Sequence, residues 1–179
     1  MEHPKRACYV MLIAHLPSGY ILGSFARRQW REMSGVVTAA MIGSVIPDVD
    51  MLYFHFIDGG HIHHHAYITH WPLFWAATGI LSLCAARLLG WPRPALIGIF
   101  IAGAMLHMVL DTVVSPISWL MPFDRHAFEF VAVPATYGNW VVSFVLHWTF
   151  GLELLICAWA LWLVTARSAA RIAAPQKGT

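Results

Sequence analysis

Long stretches without a single charged side chain constrain this sequence more than any other feature: Asp, Glu, Lys and Arg are absent from 7–26, 59–86, 94–110 and 130–152. A helix of about 20 apolar residues spans a hydrocarbon core of about 30 Å, so runs of this length can cross a bilayer. Composition agrees. Hydrophobic residues make up 59% of the 179 residues and charged ones 11%, at a mean hydropathy of +0.63, far from the usual balance of a soluble domain. A disordered chain, a soluble nucleic-acid binder and a secreted disulfide scaffold are all excluded, and the net charge of +2 adds little. Cys8, Cys84 and Cys157 are odd in number, widely spaced and set in apolar sequence. They read as small buried hydrophobes rather than bridges or a metal-binding pair. Lys5 and Arg6 precede an apolar run that continues to Ala26 through His15 and Pro17 with no small-residue cleavage site, which reads as a retained first helix rather than a signal peptide.

The expected architecture is all-α: one membrane-embedded domain over 1–179 with about five transmembrane helices, near 8–25, 34–52, 71–90, 94–114 and 140–165. The two long connections, 53–70 and 115–139, then lie on one side. Cytoplasmic loops collect Lys and Arg. An outside N-terminus and a cytoplasmic C-terminus place Arg27, Arg28, Arg31, Arg87, Arg93, Arg167, Arg171 and Lys177 inside, against Lys5, Arg6 and Arg125 outside. Trp30, Trp91 and Trp162 then fall at the inner boundary and Trp71, Trp119 and Trp140 at the outer one, as an aromatic belt requires.

Ionisable groups inside spans cost a few kcal/mol each, by insertion scales, and mark functional sites or buried pairs. This chain carries His15 in the first span, Asp48 and Asp50 at the end of the second, His107 and Asp111 in the fourth, and His147 and Glu153 in the fifth. Counting about 1.5 Å per residue from the outer ends, His15 lies about 12 Å deep and Asp48 and His107 about 10 Å deep, so three helices present ligand-type residues at one level. His107 and Asp111, at i and i+4, share a helix face and can reach one metal. The run from His61 to His70 emerges on the same side and can fold over them. Imidazole and carboxylate are the ligands of zinc, manganese and iron(II) hydrolase sites, where the ion activates water and polarises the scissile group.

Plainer readings compete with this one. A single membrane His is more often an interhelical hydrogen-bonding group than a ligand. His61, His63 and His64 read as incidental members of a His-rich tract. Asp58, Asp124, Arg125 and Glu129 read as solvated loop charges. His147 and Glu153 are six residues apart, do not share a face, and read as contacts between helices. Trp148, Trp159, Met105 and Met108 read as packing or lipid-facing residues.

Several pieces together resemble the LexA-regulated membrane-bound metal-dependent hydrolases, also called YdjM-like inner-membrane proteins. They are Ala14-His15-Leu16, the Gly43-to-Asp50 stretch with Pro47 and Asp48, the His65-to-His70 spacing with Thr69, and His107-Met108-Val109-Leu110-Asp111 followed by Met121-Pro122-Phe123. The resemblance covers 15–123. It implies that His15, Asp48, Asp50, His65, His70, His107 and Asp111 form the metal site of a hydrolase in a bacterial inner membrane. Two positions depart from the family pattern, Ala66 where Arg is usual and Trp71 where Ser is usual. The order His, Asp, His, HxxxD also looks, more weakly, like the zinc-dependent phospholipase C and P1 nuclease group, in which His126 and His147 would be natural extra ligands.

The expected function is therefore hydrolysis of a phosphoester in a lipid or lipid-linked substrate by water activated at a divalent metal, zinc first, with manganese and iron as alternatives. Membrane lipids are the expected partners and nucleic acid is not. Asp48 follows Pro47 and is the better fixed ligand, whereas Asp50 is the candidate to orient a ligand His or take the water proton. The main rival is a metal-binding transporter or sensor without turnover at the same residues. A His-box diiron oxidase fits less well, since its boxes belong on the cytoplasmic side with HxxHH spacings.

Overall fold

Seven α-helices and three short 3₁₀ turns make up the regular structure of the computed structural model, which describes residues 11, 13–59, 61, 64–134 and 136–173. In chain order the helices are α1 His15–Gln29, α2 Val36–Gly43, α3 Asp50–Phe56, α4 Pro72–Leu88, α5 Pro94–Val114, α6 Trp140–Val145 and α7 Phe150–Ala173. The 3₁₀ turns are Ile46–Val49, His64–Ala66 and Ile68–His70. Among the described residues there is no strand, and a single antiparallel bridge, Ile117 with Phe128, pins the irregular segment after α5. The all-helical expectation holds.

Proline sets several of these starts, because a first-turn position needs no N–H partner. Pro72 opens α4 and Pro94 opens α5. Pro17 lies in the first turn of α1, so the helix begins at His15 and not near residue 8; residues 8–10 of the expected first span lie outside the described residues. His15 is therefore at the mouth of its helix, not two turns within it. Arg27 and Arg28 close the same helix in its last turn, where cations complement the macrodipole.

Pro47 has the opposite effect in the second span. The helix stops at Gly43, a 3₁₀ turn carries Pro47 and Asp48, and α3 resumes at Asp50 and runs to Phe56. Asp48 and Asp50 thus mark a break within a bent segment, turned by 51°, and do not end it. The fifth expected span also divides: Asn139 caps α6 by accepting from Val141 N–H at 2.8 Å and Val142 N–H at 3.4 Å, α6 ends at Val145, and the long helix starts at Phe150.

Two helices, α5 and α7, are long and apolar enough to cross a membrane, and the bent α2–α3 pair makes a third if taken as one broken span. α4 is apolar but 17 residues long and α1 is 15, so the expected five spans are met outright by two.

α1 packs on α2, α5 and α7, α2 on α5, and α4 on α5. Val36, Ala40 and Ile99 form the seam between α2 and α5. A Cβ on Gly103 would lie 2.5 Å from the Ala40 carbonyl oxygen and 2.9 Å from the Ser44 nitrogen, and one on Gly43 would strike the Phe100 carbonyl. Small residues let these backbones touch, as in membrane helix pairs generally. A second cluster of Met11, Ala14, Val114, Val133 and Phe144 closes the end of the molecule that carries His15 and Asp111.

Several smaller expectations change. Cys84 is exposed and Cys157 half-buried with its thiol 3.9 Å from the Ile13 carbonyl oxygen, both as free thiols; Cys8 lies outside the described residues. Trp30, Trp91 and Trp162 are exposed, but Trp71 and Trp119 turn their indole N–H groups inward, to Ala66 O at 3.1 Å and Thr112 Oγ1 at 3.0 Å. The Trp140 side chain lies outside the described residues. Asp58 and Glu129 are half-buried rather than solvated.

Candidate metal centre

The break at Ser44–Val49, the mouth of α1, the loop before α4 and the last two turns of α5 meet at one point. Asp111 is its centre. The carboxylate is fully buried, with Oδ1 at 3.2 Å from His15 Nε2 and Oδ2 at 3.0 Å from His107 Nε2, 3.6 Å from His65 Nε2 and 3.7 Å from His70 Nε2. Asp48 Oδ1 completes the ring at 3.5 Å from His107 Nε2 and 3.6 Å from His70 Nε2. His15 and His107 stack with ring centroids 3.7 Å apart. The structure puts His107 and Asp111 on one face of α5 and brings His15, Asp48, His65 and His70 around that pair.

Two groups aim the imidazoles. Asp50 Oδ2 accepts from His70 Nδ1 at 2.6 Å and from Thr69 Oγ1 at 2.5 Å, which turns His70 Nε2 toward Asp48 and Asp111. The carbonyl of Ser44, at the helix break, accepts from His107 Nδ1 at 2.9 Å, which turns His107 Nε2 the same way. An imidazole held by a carboxylate or carbonyl at one nitrogen and facing inward with the other is the usual arrangement of a metal-ligating His. His70 lies outside the spanning segments. Its burial opposes protonation, yet Asp48, Asp50 and Asp111 outweigh that and raise its pKa above the ordinary imidazole value.

The inward atoms are not otherwise satisfied. His15 Nδ1 and Nε2, His70 Nε2, His107 Nε2, Asp48 Oδ1 and both Asp111 oxygens are buried without a hydrogen-bond partner. Buried polar atoms normally have one; separations of 3.5–3.7 Å are too wide for good hydrogen bonds, and the Asp111 pairs with His107 at 3.0 Å and His15 at 3.2 Å are close enough but misaligned. Ligands held at about 2.0–2.1 Å around a tetrahedral ion stand about 3.3 Å apart, close to these separations. Three groups bring ligand atoms within 4.8 Å of one another and could hold a metal: His15, His107 and Asp111; Asp48, His70 and His107; and His64, His65 and His70. The residues present fit one or two divalent ions.

Of the seven expected ligands, Asp50 alone belongs to none of these groups; it stands behind His70. His64, set aside as incidental, is buried in the cluster with its ring centroid 4.0 Å from that of His65. His61 is exposed and bonds its own turn through Asp58 O, and His63 lies outside the described residues. His126 and His147 join no candidate metal group among the described residues. His126 is exposed beside Asp124, and His147 Nδ1 pairs with Thr149 Oγ1 at 2.8 Å. Glu153 does join helices: its Oε2 accepts from the Ile13 N–H at 2.6 Å, anchoring α7 to the start of α1 two residues before His15. The two departures Ala66 and Trp71 bond each other, indole to carbonyl, and so close the loop between His65 and His70. Trp75 supports it by donating to Thr69 O at 2.7 Å.

Among known families, the sequence model described as YdjM inner membrane protein matches residues 10–174. No curated protein and no solved structure matches, so the weaker likeness to the phospholipase C and P1 nuclease group is not shown.

Proposed function

Starting from the premise that this chain belongs to the YdjM inner membrane protein family over residues 10–174, we propose that it is a metal-dependent hydrolase of a phosphoester in a lipid or lipid-linked substrate. The observation that carries the reading is the convergence of His15, Asp48, His70, His107 and Asp111, whose inward atoms are buried without hydrogen-bond partners. His15, His107 and Asp111 would hold one divalent ion, zinc in the first instance, and His70 with Asp48 would share it or hold a second, with His64 and His65 on the loop side. A divalent ion in such a site supplies a Lewis acid for a phosphoryl oxygen and lowers the pKa of water.

The chain's own residues do the rest. Asp50 acts on His70 and is a positioning residue, because its Oδ2 is taken by His70 and Thr69. The Ser44 carbonyl has the same duty toward His107. Asp48 is 26% exposed while the other cluster side chains that surround it are at most 6% exposed, so water and substrate reach the cluster beside Asp48. Hydrolysis there adds the oxygen of water to phosphorus, breaks the ester P–O bond and returns one proton to the leaving oxygen. The expected five crossings and the outside N-terminus would put this chemistry near the outer headgroups.

The test is metal analysis of protein purified without a His-tag, followed by incubation with a panel of lipid phosphoesters at neutral pH. Bound metal with product release from at least one lipid supports the reading. Metal-loaded wild-type protein that consumes no lipid phosphoester, nucleotide or acyl ester would replace it with the non-turnover metal-binding reading.

A further inference from the structure

A cavity of about 630 Å³ forms a groove along the bent α2–α3 segment. Leu16 of α1 forms one wall, and Ile42, Val45, Val49 and Leu52 form much of the other. Among the described residues that line it, Asp48 alone is ionisable. Two other cavities, one beside Trp119 and His126 and one beside Arg27 and Arg167, contain no residue of the metal cluster. The groove therefore meets the cluster at its one partly open carboxylate.

The walls carry a second piece of information. Ile42 and Leu52 are 51% and 59% exposed, on a bent pair that passes the length and composition test for a membrane span. Taken as one broken span, the pair would present this surface to the acyl phase of a bilayer, where a water-soluble substrate has no access. A groove lined by apolar side chains apart from Thr38 and Asp48, and joined through Asp48 to a candidate metal cluster, matches a molecule with a long hydrocarbon tail and a polar ester at its head.

We propose that this groove takes an acyl chain of a membrane phospholipid from the bilayer and delivers the phosphoester of its headgroup to the candidate metal cluster beside Asp48. The inference rests on the hydrolase reading and narrows its substrate class to long-chain phospholipids that approach laterally. Leu16, one residue after His15, guides the chain past the mouth of α1, and the break at Pro47 turns the groove into the cluster. A chain already in the bilayer gains little hydrophobic energy on entering the groove, so the groove selects by shape.

The experiment uses the full chain in nanodiscs of phosphatidylethanolamine and phosphatidylglycerol, with a trace of phosphatidylglycerol carrying a diazirine midway along one acyl chain. After irradiation, peptide mapping should find label on Ile42, Val45 or Leu52 several-fold above that on Ile80 and Leu155, which are exposed apolar residues of α4 and α7 away from the groove. Ile42→Trp should remove the groove label and leave both the control label and the metal content unchanged; Leu52→Trp provides the same blockade from the other wall. Both side chains are exposed, so neither replacement opens the core. With turnover as the second readout, both variants should lower kcat/KM for long-chain phospholipid about tenfold or more and spare a dihexanoyl analogue. Uniform labelling of all exposed faces, or crosslinks between two copies of this chain through Ile42, would overturn the groove while leaving the hydrolase reading intact. Groove-specific labelling without any lipid turnover by the wild type would overturn the hydrolase reading and leave the groove as a lipid site.

Discussion

Removing the Asp50 carboxylate should weaken metal binding without abolishing it, and the size of the loss follows from two contacts. Oδ2 accepts from His70 Nδ1 at 2.6 Å and from Thr69 Oγ1 at 2.5 Å. A hydrogen bond to a charged partner contributes about 1.5–3 kcal/mol and a neutral one about 0.5–1.5. Asp50→Asn keeps an oxygen for His70 but loses the charge, so about 1–1.5 kcal/mol disappears, a loss of about tenfold in affinity. Asp50→Ala leaves His70 free to turn and should cost about a hundredfold, the upper end of what removing an outer partner of a ligand His costs. Asp111→Ala, which takes away the carboxylate shared by His15, His65, His70 and His107, should cost more than either. Competition against a chelator of known zinc affinity, read by elemental analysis on protein first checked for a single peak in size exclusion, measures all three. Equal losses in Asp50→Ala and Asp111→Ala would mean that Asp50 binds the ion directly. Unchanged affinity in Asp50→Ala would mean that His70 needs no orientation, and the argument would fail.

His107→Ala should release most bound metal with the protein still inserted and helical, whereas His147→Ala, whose imidazole pairs only with Thr149 in its own loop, should retain it; circular dichroism and metal content decide. Gly103→Ala forces a Cβ to within 2.5 Å of Ala40 O and should cost about 1–3 kcal/mol of stability as overpacking, while Gly98→Ala on the same helix, with nothing within 4 Å, should cost nothing in a thermal melt. Glu153→Ala should lower stability by about 1.5–3 kcal/mol through loss of the charged acceptor for Ile13 N–H and should change metal affinity far less than His15→Ala does. A C-terminal alkaline phosphatase fusion should be inactive and a C-terminal fluorescent fusion bright; the reverse would overturn the charge-based orientation.

What could be read from the sequence was what is local. The His107–Asp111 pair needs only helical periodicity, and α5 is a single unbroken helix from Pro94 to Val114. The retained members of the cluster were visible as polar letters in apolar runs. Depth was not. The apolar run from residue 8 suggests an earlier start for α1 and a deeper His15, whereas Pro17, comfortable in a first turn, points to a helix beginning just before it. His64 was passed over because a tract of adjacent His residues suggests one ligand and several bystanders. In a 3₁₀ turn of three residues per circuit, successive side chains point about 120° apart, and here both His64 and His65 turn inward. The Ser44 carbonyl could not be found at all, because a backbone acceptor has no letter of its own. The only hint was the helix break that frees it.

That break explains why the site lies where it does. An interrupted helix at membrane depth leaves carbonyl and N–H groups without their i, i+4 partners, a state tolerated only where protein or a polar cavity supplies replacements. Pro47 lacks an N–H and cannot continue the α2 ladder. The freed Ser44 carbonyl accepts a hydrogen bond from His107 Nδ1, Asp48 in the turn faces His70 and His107, and Asp50 at the start of α3 accepts from Thr69 and His70. One discontinuity therefore provides an inward carboxylate and the two acceptors that orient imidazoles from α5 and the loop. Replacing Pro47 with Ala would test this directly. If α2 and α3 join into one straight helix, Asp48 and Asp50 must leave the cluster together, and metal affinity should fall by more than the loss from Asp50→Ala alone. If metal is retained after the join, the break is incidental to the site.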